Sequence, residues 1–177
     1  MRGQKLVNPP EGVRPTTSRL REALFNVLGD VQGTVWVEAF AGTGAVGIEA
    51  LSRGAELVIF NERERSILQV LESNFEKCGL ETGCEVHRGD AFVFFQRLVG
   101  RPVDVVFLDP PYRFGRYSKL LKKIKEALAE GAPGHVVLME VFKKTEDEVV
   151  GPHYRVVRRL RAGDSHLLIL KPVYEPF

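Results

Sequence analysis

The chain has 177 residues, enough for one domain with a sizeable core and too few for two comfortable ones. With 44% hydrophobic and 27% charged residues and a net charge of +2, the composition is that of an ordinary globular protein. No apolar stretch approaches bilayer-spanning length, and the first residues lack the apolar core of a signal peptide, so a cytosolic protein is expected.

Residues 1–15 hold Pro9, Pro10, Gly12 and Pro15 and read as an irregular basic arm before a single domain over 16–177. Thr16 or Thr17 is suited to cap a helix running to Leu28, with Leu20, Ala23, Leu24, Val27 and Leu28 as its apolar stripe. Strands follow at Thr34–Phe40, Glu56–Phe60, Cys84–Arg88, Val103–Leu108 and Gly134–Val141. Helices are expected between them, at Ala45–Arg53, Arg63–Lys77, Ala91–Val99 and Tyr117–Ala129, most of them closed by a glycine. The tail differs: Tyr154–Leu160 and Ser165–Leu170, split by Ala162-Gly163-Asp164, read as a hairpin. This order predicts a doubly wound, mostly parallel seven-stranded α/β sheet ending in an antiparallel hairpin.

Cys78 and Cys84 are expected to be small buried hydrophobes. His87, His135, His153 and His166 are scattered, and no Cys/His pairs stand at ligand spacing, so no metal site is expected. Basic residues gather in the first segment, in Lys119, Lys122, Lys123 and Lys125, and in Arg155, Arg158, Arg159 and Arg161. Three such clusters flanking one pocket would suit a nucleic acid, although helical lysines are usually a solvated face.

After the first strand, Gly42, Gly44 and Gly47 match G-x-G-x-x-G, and Glu62 follows the second strand. The glycines let a backbone approach a ligand, the opening helix offers N–H groups to an anion, and Glu62 is suited to both hydroxyls of a ribose. The signal is an adenosine-type cofactor. A dinucleotide enzyme would need a second half or a pair such as Tyr-x-x-x-Lys, but Arg116 follows Tyr112 and Leu121 follows Tyr117 at that spacing. S-adenosylmethionine uses the same loop, and it also accounts for Asp90 and its apolar neighbours around an adenine, although Asp90 reads equally well as a plain helix cap. The apolar run Val103–Leu108 closes on Asp109-Pro110-Pro111-Tyr112. The prolines stiffen that corner and remove two donors, leaving carbonyls to accept from a planar amine while the Tyr112 ring stacks on its plane. A rigid strand exit with a capping Asp is the bland alternative.

Phe40-Ala41-Gly42-Thr43-Gly44, Glu62, Asp90 and Asp109-Pro110-Pro111-Tyr112, in this order, resemble the class I S-adenosylmethionine-dependent methyltransferases. The segments Arg14–Leu28 and Phe40–Ala55 narrow the resemblance to the bacterial 16S ribosomal RNA guanine-N2 methyltransferases. The first acidic position, commonly Asp in that family, is Glu38 here. The resemblance implies cofactor contacts at Glu38, Phe40, Ala41, Gly42, Thr43, Gly44, Glu62, Arg63, Asp90, Ala91, Phe92 and Asp109. It implies catalysis by Asp109, Pro110, Pro111 and Tyr112, and substrate contacts from Arg14, Thr16, Arg19, Arg21 and Tyr112. The expected partner is 16S ribosomal RNA, free or in an assembling small subunit, met by a cytoplasmic monomer. Methylation of DNA adenine or cytosine or of a protein glutamine, a non-catalytic RNA-binding module and an NAD oxidoreductase are the competing readings.

Overall fold

The computed structural model describes residues 6–7, 18–111, 113–142, 149–162 and 164–174. Helix α1 spans Ser18–Leu28 and is followed by strand β1 (Val35–Ala39), α2 (Ala45–Ser52), β2 (Leu57–Glu62) and α3 (Arg65–Cys78). Then come β3 (Cys84–Arg88), α4 (Ala91–Gln96), β4 (Val105–Leu108), α5 (Tyr117–Leu128) and β5 (Val136–Phe142). Strands β6 (Tyr154–Ala162) and β7 (Ser165–Pro172) form the terminal hairpin. The order across the single sheet is β3-β2-β1-β4-β5-β7-β6. β1 to β5 are mutually parallel, while β7 lies antiparallel between β5 and β6. The fold expected from the alternation and the tail is the fold observed.

Helices cover both faces. Leu20, Leu24 and Phe25 of α1, Val46 and Ile48 of α2 and Leu68, Leu71 and Phe75 of α3 pack on one face. Phe94 and Phe95 of α4 and Leu120, Leu121, Ile124 and Leu128 of α5 pack on the other. The four residues of β4 are buried because both faces are covered, which is why its sequence is uniformly apolar. Helix α1 runs against the strands. Arg21 near its start is within electrostatic reach of Glu38 near the end of β1, and Phe25 stacks on Trp36 near the start of β1, 5.6 Å away.

Several boundaries move for physical reasons. β2 continues two residues past Phe60 because Asn61 and Glu62 pair with His87 and Arg88. α3 begins at Arg65, since the Glu62 carboxylate takes the amides of Arg63 and Glu64 (2.7 and 3.0 Å). Thr16 and Thr17, expected caps of α1, lie outside the described residues. Cys78 and Cys84 are only partly buried, at the rim of the core rather than inside it.

Candidate functional site

Ala39 at the end of β1 is in register with Leu108 of β4 on one side and Asn61 of β2 on the other. The glycine loop and the Pro-Pro corner are therefore neighbours at the sheet's carboxyl end, where the strand order reverses and open α/β sheets bind ligands.

Carboxylates hold the glycine loop from below. Glu38 is 3% exposed, and its Oε2 accepts the N–H of Gly47 (2.7 Å). Burial drives its pKa up to about 8. The amides of Gly47 and Val46 hold it back, Asp109 adds to the rise and Arg21 opposes it. Glu62 accepts three amides, those of Arg63 and Glu64 on Oε1 and that of Gly42 on Oε2 (3.1 Å). A carboxylate has about four acceptor sites, so among the described residues one on Oε2 is left for a ligand. This narrows the expectation that Glu62 takes both ribose hydroxyls. Of the helix-opening amides, those of Val46 and Gly47 are not free for an anion, because Glu38 already takes them.

The three glycines do different work. Gly44 (φ 73) starts α2 in the left-handed region, which glycine enters at no steric cost. Gly47 is a packing residue: a Cβ there would come within 2.5 Å of the Phe60 ring and 2.6 Å of Glu38 Oε2. At Gly42 the nearest atom to an added Cβ is 4.0 Å away, so this glycine alone borders open space. Phe40 also sits at positive φ (59°), a strained geometry for an aromatic residue and a mark of functional sites. Two asparagines that the sequence reading passed over pin the loop. Asn74 donates to the Thr43 carbonyl (3.0 Å) and accepts from the Val7 amide (2.6 Å). The Asn61 carbonyl accepts from Ala41, while its carboxamide donates to the carbonyls of His87 and Gly89. Their signal was polarity inside an apolar pattern.

Asp90 caps α4, its Oδ1 accepting the Phe92 amide (2.9 Å), with Ala91 buried and Phe92 half-buried. Arg63 is exposed beside Glu64. Asp109 is half-buried after β4, close enough to raise the pKa values of both Glu38 and Tyr117. Pro110 is buried and Pro111 exposed. The Pro111 carbonyl accepts the Phe114 amide (2.9 Å), so of the two proline carbonyls that of Pro110 is the one without a donor among the described residues.

Beyond the corner, Phe114 contacts Phe40 (5.3 Å), Phe92 (6.2 Å) and Tyr117 (5.3 Å). The Arg116 guanidinium lies over the Phe92 ring at 4.7 Å. This cluster ties the loops after β1, β3 and β4 together; the run Phe114-Gly115-Arg116-Tyr117 next to the corner was its only sequence signal. Arg14, Thr16 and Tyr112 lie outside the described residues. Arg19 is exposed on the first turn of α1, whereas Arg21 bonds Glu49 (3.3 Å), which also holds Arg53 (2.8 Å).

One acidic residue thus stands at the carboxyl end of each of four adjacent strands: Glu38 near the end of β1, Glu62 as the last residue of β2, Asp90 after β3 and Asp109 after β4. That set suits a cationic ligand with hydroxyls and an amine, and it would repel a dinucleotide's pyrophosphate. The fold is that of the class I methyltransferases. The family model described as Conserved hypothetical protein 95 matches residues 1–171, and the chain belongs to that family. The Ribosomal RNA small subunit methyltransferase D of Haemophilus influenzae is 40% identical over 130 residues, 71% of this chain and 67% of that one. The Bacillus subtilis protein YlbH is 38% identical over 141 residues, 78% of this chain and 77% of its own length. Among solved structures, the Escherichia coli protein yhhF superposes with a TM-score of 0.81 at 29% identity, over 97% of this chain and 93% of that one.

Proposed function

We propose that this chain is an S-adenosylmethionine-dependent ribosomal RNA methyltransferase acting on the exocyclic N2 amino group of a guanine in the small-subunit RNA. The observation that carries this reading is the juxtaposition of two unlike loops, a carboxylate-backed glycine loop and a proline-stiffened acceptor corner, on register-paired strands. The family and its relatives named for ribosomal RNA methylation give the substrate class. The protein is taken to act as a monomer in the cytoplasm, as one domain over 16–177; among the described residues no helix is long and apolar enough to cross a membrane.

S-adenosylmethionine, when bound, supplies a methyl group already activated on a sulfonium. Glu62 would hold a ribose hydroxyl through its remaining acceptor site, and Glu38 would face the amino-acid end. Asp90, Ala91 and Phe92, with Arg63, would frame the adenine. Phe40, Ala41, Gly42, Thr43 and Gly44 line the loop between.

The acceptor amine needs help, because a guanine N2 lone pair is delocalised into the ring. Asp109 and the Pro110 carbonyl accept its two hydrogens and draw the lone pair out toward the donor. Asp109 then receives the proton that the nitrogen gives up on gaining its methyl group. Pro111 stiffens the turn, and Tyr112 stacks on the base, a contact worth roughly 1–3 kcal/mol. The base must leave its helix to reach the corner, so an unpaired or flipped guanine is the substrate. Arg14, Thr16, Arg19 and Arg21 would contact the RNA, with Arg21 acting through its Glu49 pair as much as on phosphate.

Incubation with methyl-tritiated S-adenosylmethionine and undermethylated small-subunit RNA, DNA or bulk protein tests the assignment. Label should enter the RNA; label confined to DNA or protein would overturn it.

A further inference from the structure

The sheet has two edges, and they are built differently. On β3, Glu85 binds Arg101 through both carboxylate oxygens (2.9 and 3.0 Å) and also faces His87, so that edge carries nearly balanced charge. Strand β6, the other edge, carries Arg155, Arg158, Arg159 and Arg161 and no acidic residue between 154 and 162. All four arginines are exposed, and among the described residues Arg155, Arg158 and Arg161 have no acidic partner within 4 Å.

Guarding an edge against strand addition needs only one or two charges of either sign, as β3 illustrates. Four arginines of one sign exceed that need. Arginine also presents a fork of donors that matches a phosphate.

The placement is specific. β6 runs parallel to β4, so its Arg161 end lies at the same end of the sheet as Asp109. Three strand steps separate β4 from β6, about 14 Å at a spacing of roughly 4.8 Å. Register pairing puts Arg158 beside Ile169 and Arg159 beside Leu168 on opposite faces of the sheet. Successive strand residues alternate faces, so these neighbouring arginines point to either side of the edge. Helix α1 packs next to β6, and its first turn brings exposed Arg19 to the same end. The lysines of α5 are poorer candidates. Lys122 faces Glu126 (3.8 Å), while Lys125 donates to the Val173 carbonyl and lies over the Tyr174 ring.

We propose that the β6 edge, with Arg19, is the track on which the phosphate backbone of the RNA substrate docks while its target base enters the site. This rests on the reading of the chain as an RNA methyltransferase, and it adds which face of the molecule the RNA crosses.

The test compares three triple variants of the full chain: Arg155→Glu/Arg158→Glu/Arg161→Glu, the same positions changed to Lys, and Lys119→Glu/Lys122→Glu/Lys123→Glu. Binding of undermethylated small-subunit RNA is followed by fluorescence anisotropy over a potassium chloride series, and cofactor affinity by calorimetry. The glutamates keep the edge charged and soluble while reversing its sign. The arginine-to-glutamate protein should lose tens-fold in RNA affinity. Its slope of log affinity against log salt should become shallower by about two, since each lost phosphate contact removes roughly 0.7–0.9. Cofactor affinity should stay within twofold, which also certifies the fold. The lysine variant should retain most of the RNA affinity, and the α5 variant should stay within twofold of wild type. RNA affinity and slope unchanged in the first variant, or an equal loss in the α5 variant, would overturn the docking track. If the first variant fails to fold, Arg158→Glu and Arg161→Glu are measured singly, and an unchanged slope in both overturns the track as well. A wild-type chain that methylates RNA while the edge variants behave normally rejects the track alone. A wild type that neither binds nor methylates this RNA rejects the functional reading beneath it.

Discussion

The two ends of the same sheet solve opposite problems. At the amino ends of the strands, polar groups are closed locally by neutral or singly charged partners. Trp36 donates its indole N–H to Thr34 (2.8 Å), Asp104 accepts the Val35 amide (2.8 Å), and buried His135 lies between the Ala132 carbonyl and the Tyr154 hydroxyl (2.6 and 2.7 Å). At the carboxyl ends, acidic residues gather around open space, one of them buried with a raised pKa, beside an aromatic residue at positive φ. One end is built for stability. The other buries a carboxyl close to further acidic groups, an arrangement that a bound cation would relieve.

If this division is right, Asp109→Ala gives the largest effect at the carboxyl end. Methyl transfer should fall by roughly 10²–10⁴-fold, the usual worth of a positioned acid–base group. Its urea midpoint should barely move, and its cofactor affinity should fall far less than its turnover. Normal turnover would remove Asp109 from the chemistry and weaken the contrast.

The next effect is a pH dependence. Glu38 titrates near 8 in the folded chain, so a ligand cation that favours its ionised form must release a proton below that value. Cofactor affinity should therefore climb by up to tenfold per pH unit toward pH 8, about 1.4 kcal/mol per unit, and level off above it. Calorimetry on Glu38→Gln should give a flat profile; a profile as steep as wild type would assign the proton elsewhere. The two ends should also pull stability in opposite directions. The raised Glu38 pKa contributes stability below about 4.5 that is lost as pH rises toward 8. Burial lowers the pKa of His135, despite the opposing Ala132 carbonyl, so its contribution is present above 6.5 and lost as pH falls below it. Ligand-free unfolding measured against pH should show both slopes, and Glu38→Gln should remove only the decline between about 4.5 and 8.

Gly47→Ala comes next, costing roughly 1–3 kcal/mol of stability by overpacking against Phe60 and Glu38. An unchanged urea midpoint would mean that the helix shifts freely. Smallest is Tyr154→Phe at the amino end. His135 Nδ1 donates to the Ala132 carbonyl, so Nε2 accepts from the hydroxyl and would be left without a donor, at about 1–2 kcal/mol. Turnover should be untouched, and a kinetic defect there would erase the distinction between the ends.

Much of the fold was legible because periodicity and punctuation are local. The apolar run of β4, the glycines after helices and the Ala162-Gly163-Asp164 turn each carried their own signal. The order of the site loops was legible for the same reason, since parallel strands deliver their exits to one end. What escaped was partner choice across the chain. Nothing near Glu38 announces that it consumes the amide of Gly47, or that Glu49 claims Arg21. Asn74 reaches Thr43 across 31 residues, and the Phe40–Phe114 contact joins loops on different strands. Such pairs follow from burial and packing, which a local pattern does not encode.

The most direct test of the central claim is a crystal structure of this chain with S-adenosylhomocysteine and a short RNA carrying the target guanine. The sulfur should lie against the 40–44 loop, with the guanine N2 at hydrogen-bond distance, roughly 3 Å, from both the Asp109 carboxylate and the Pro110 carbonyl. A guanine seated away from that corner, or a sulfur far from the loop, would contradict the account.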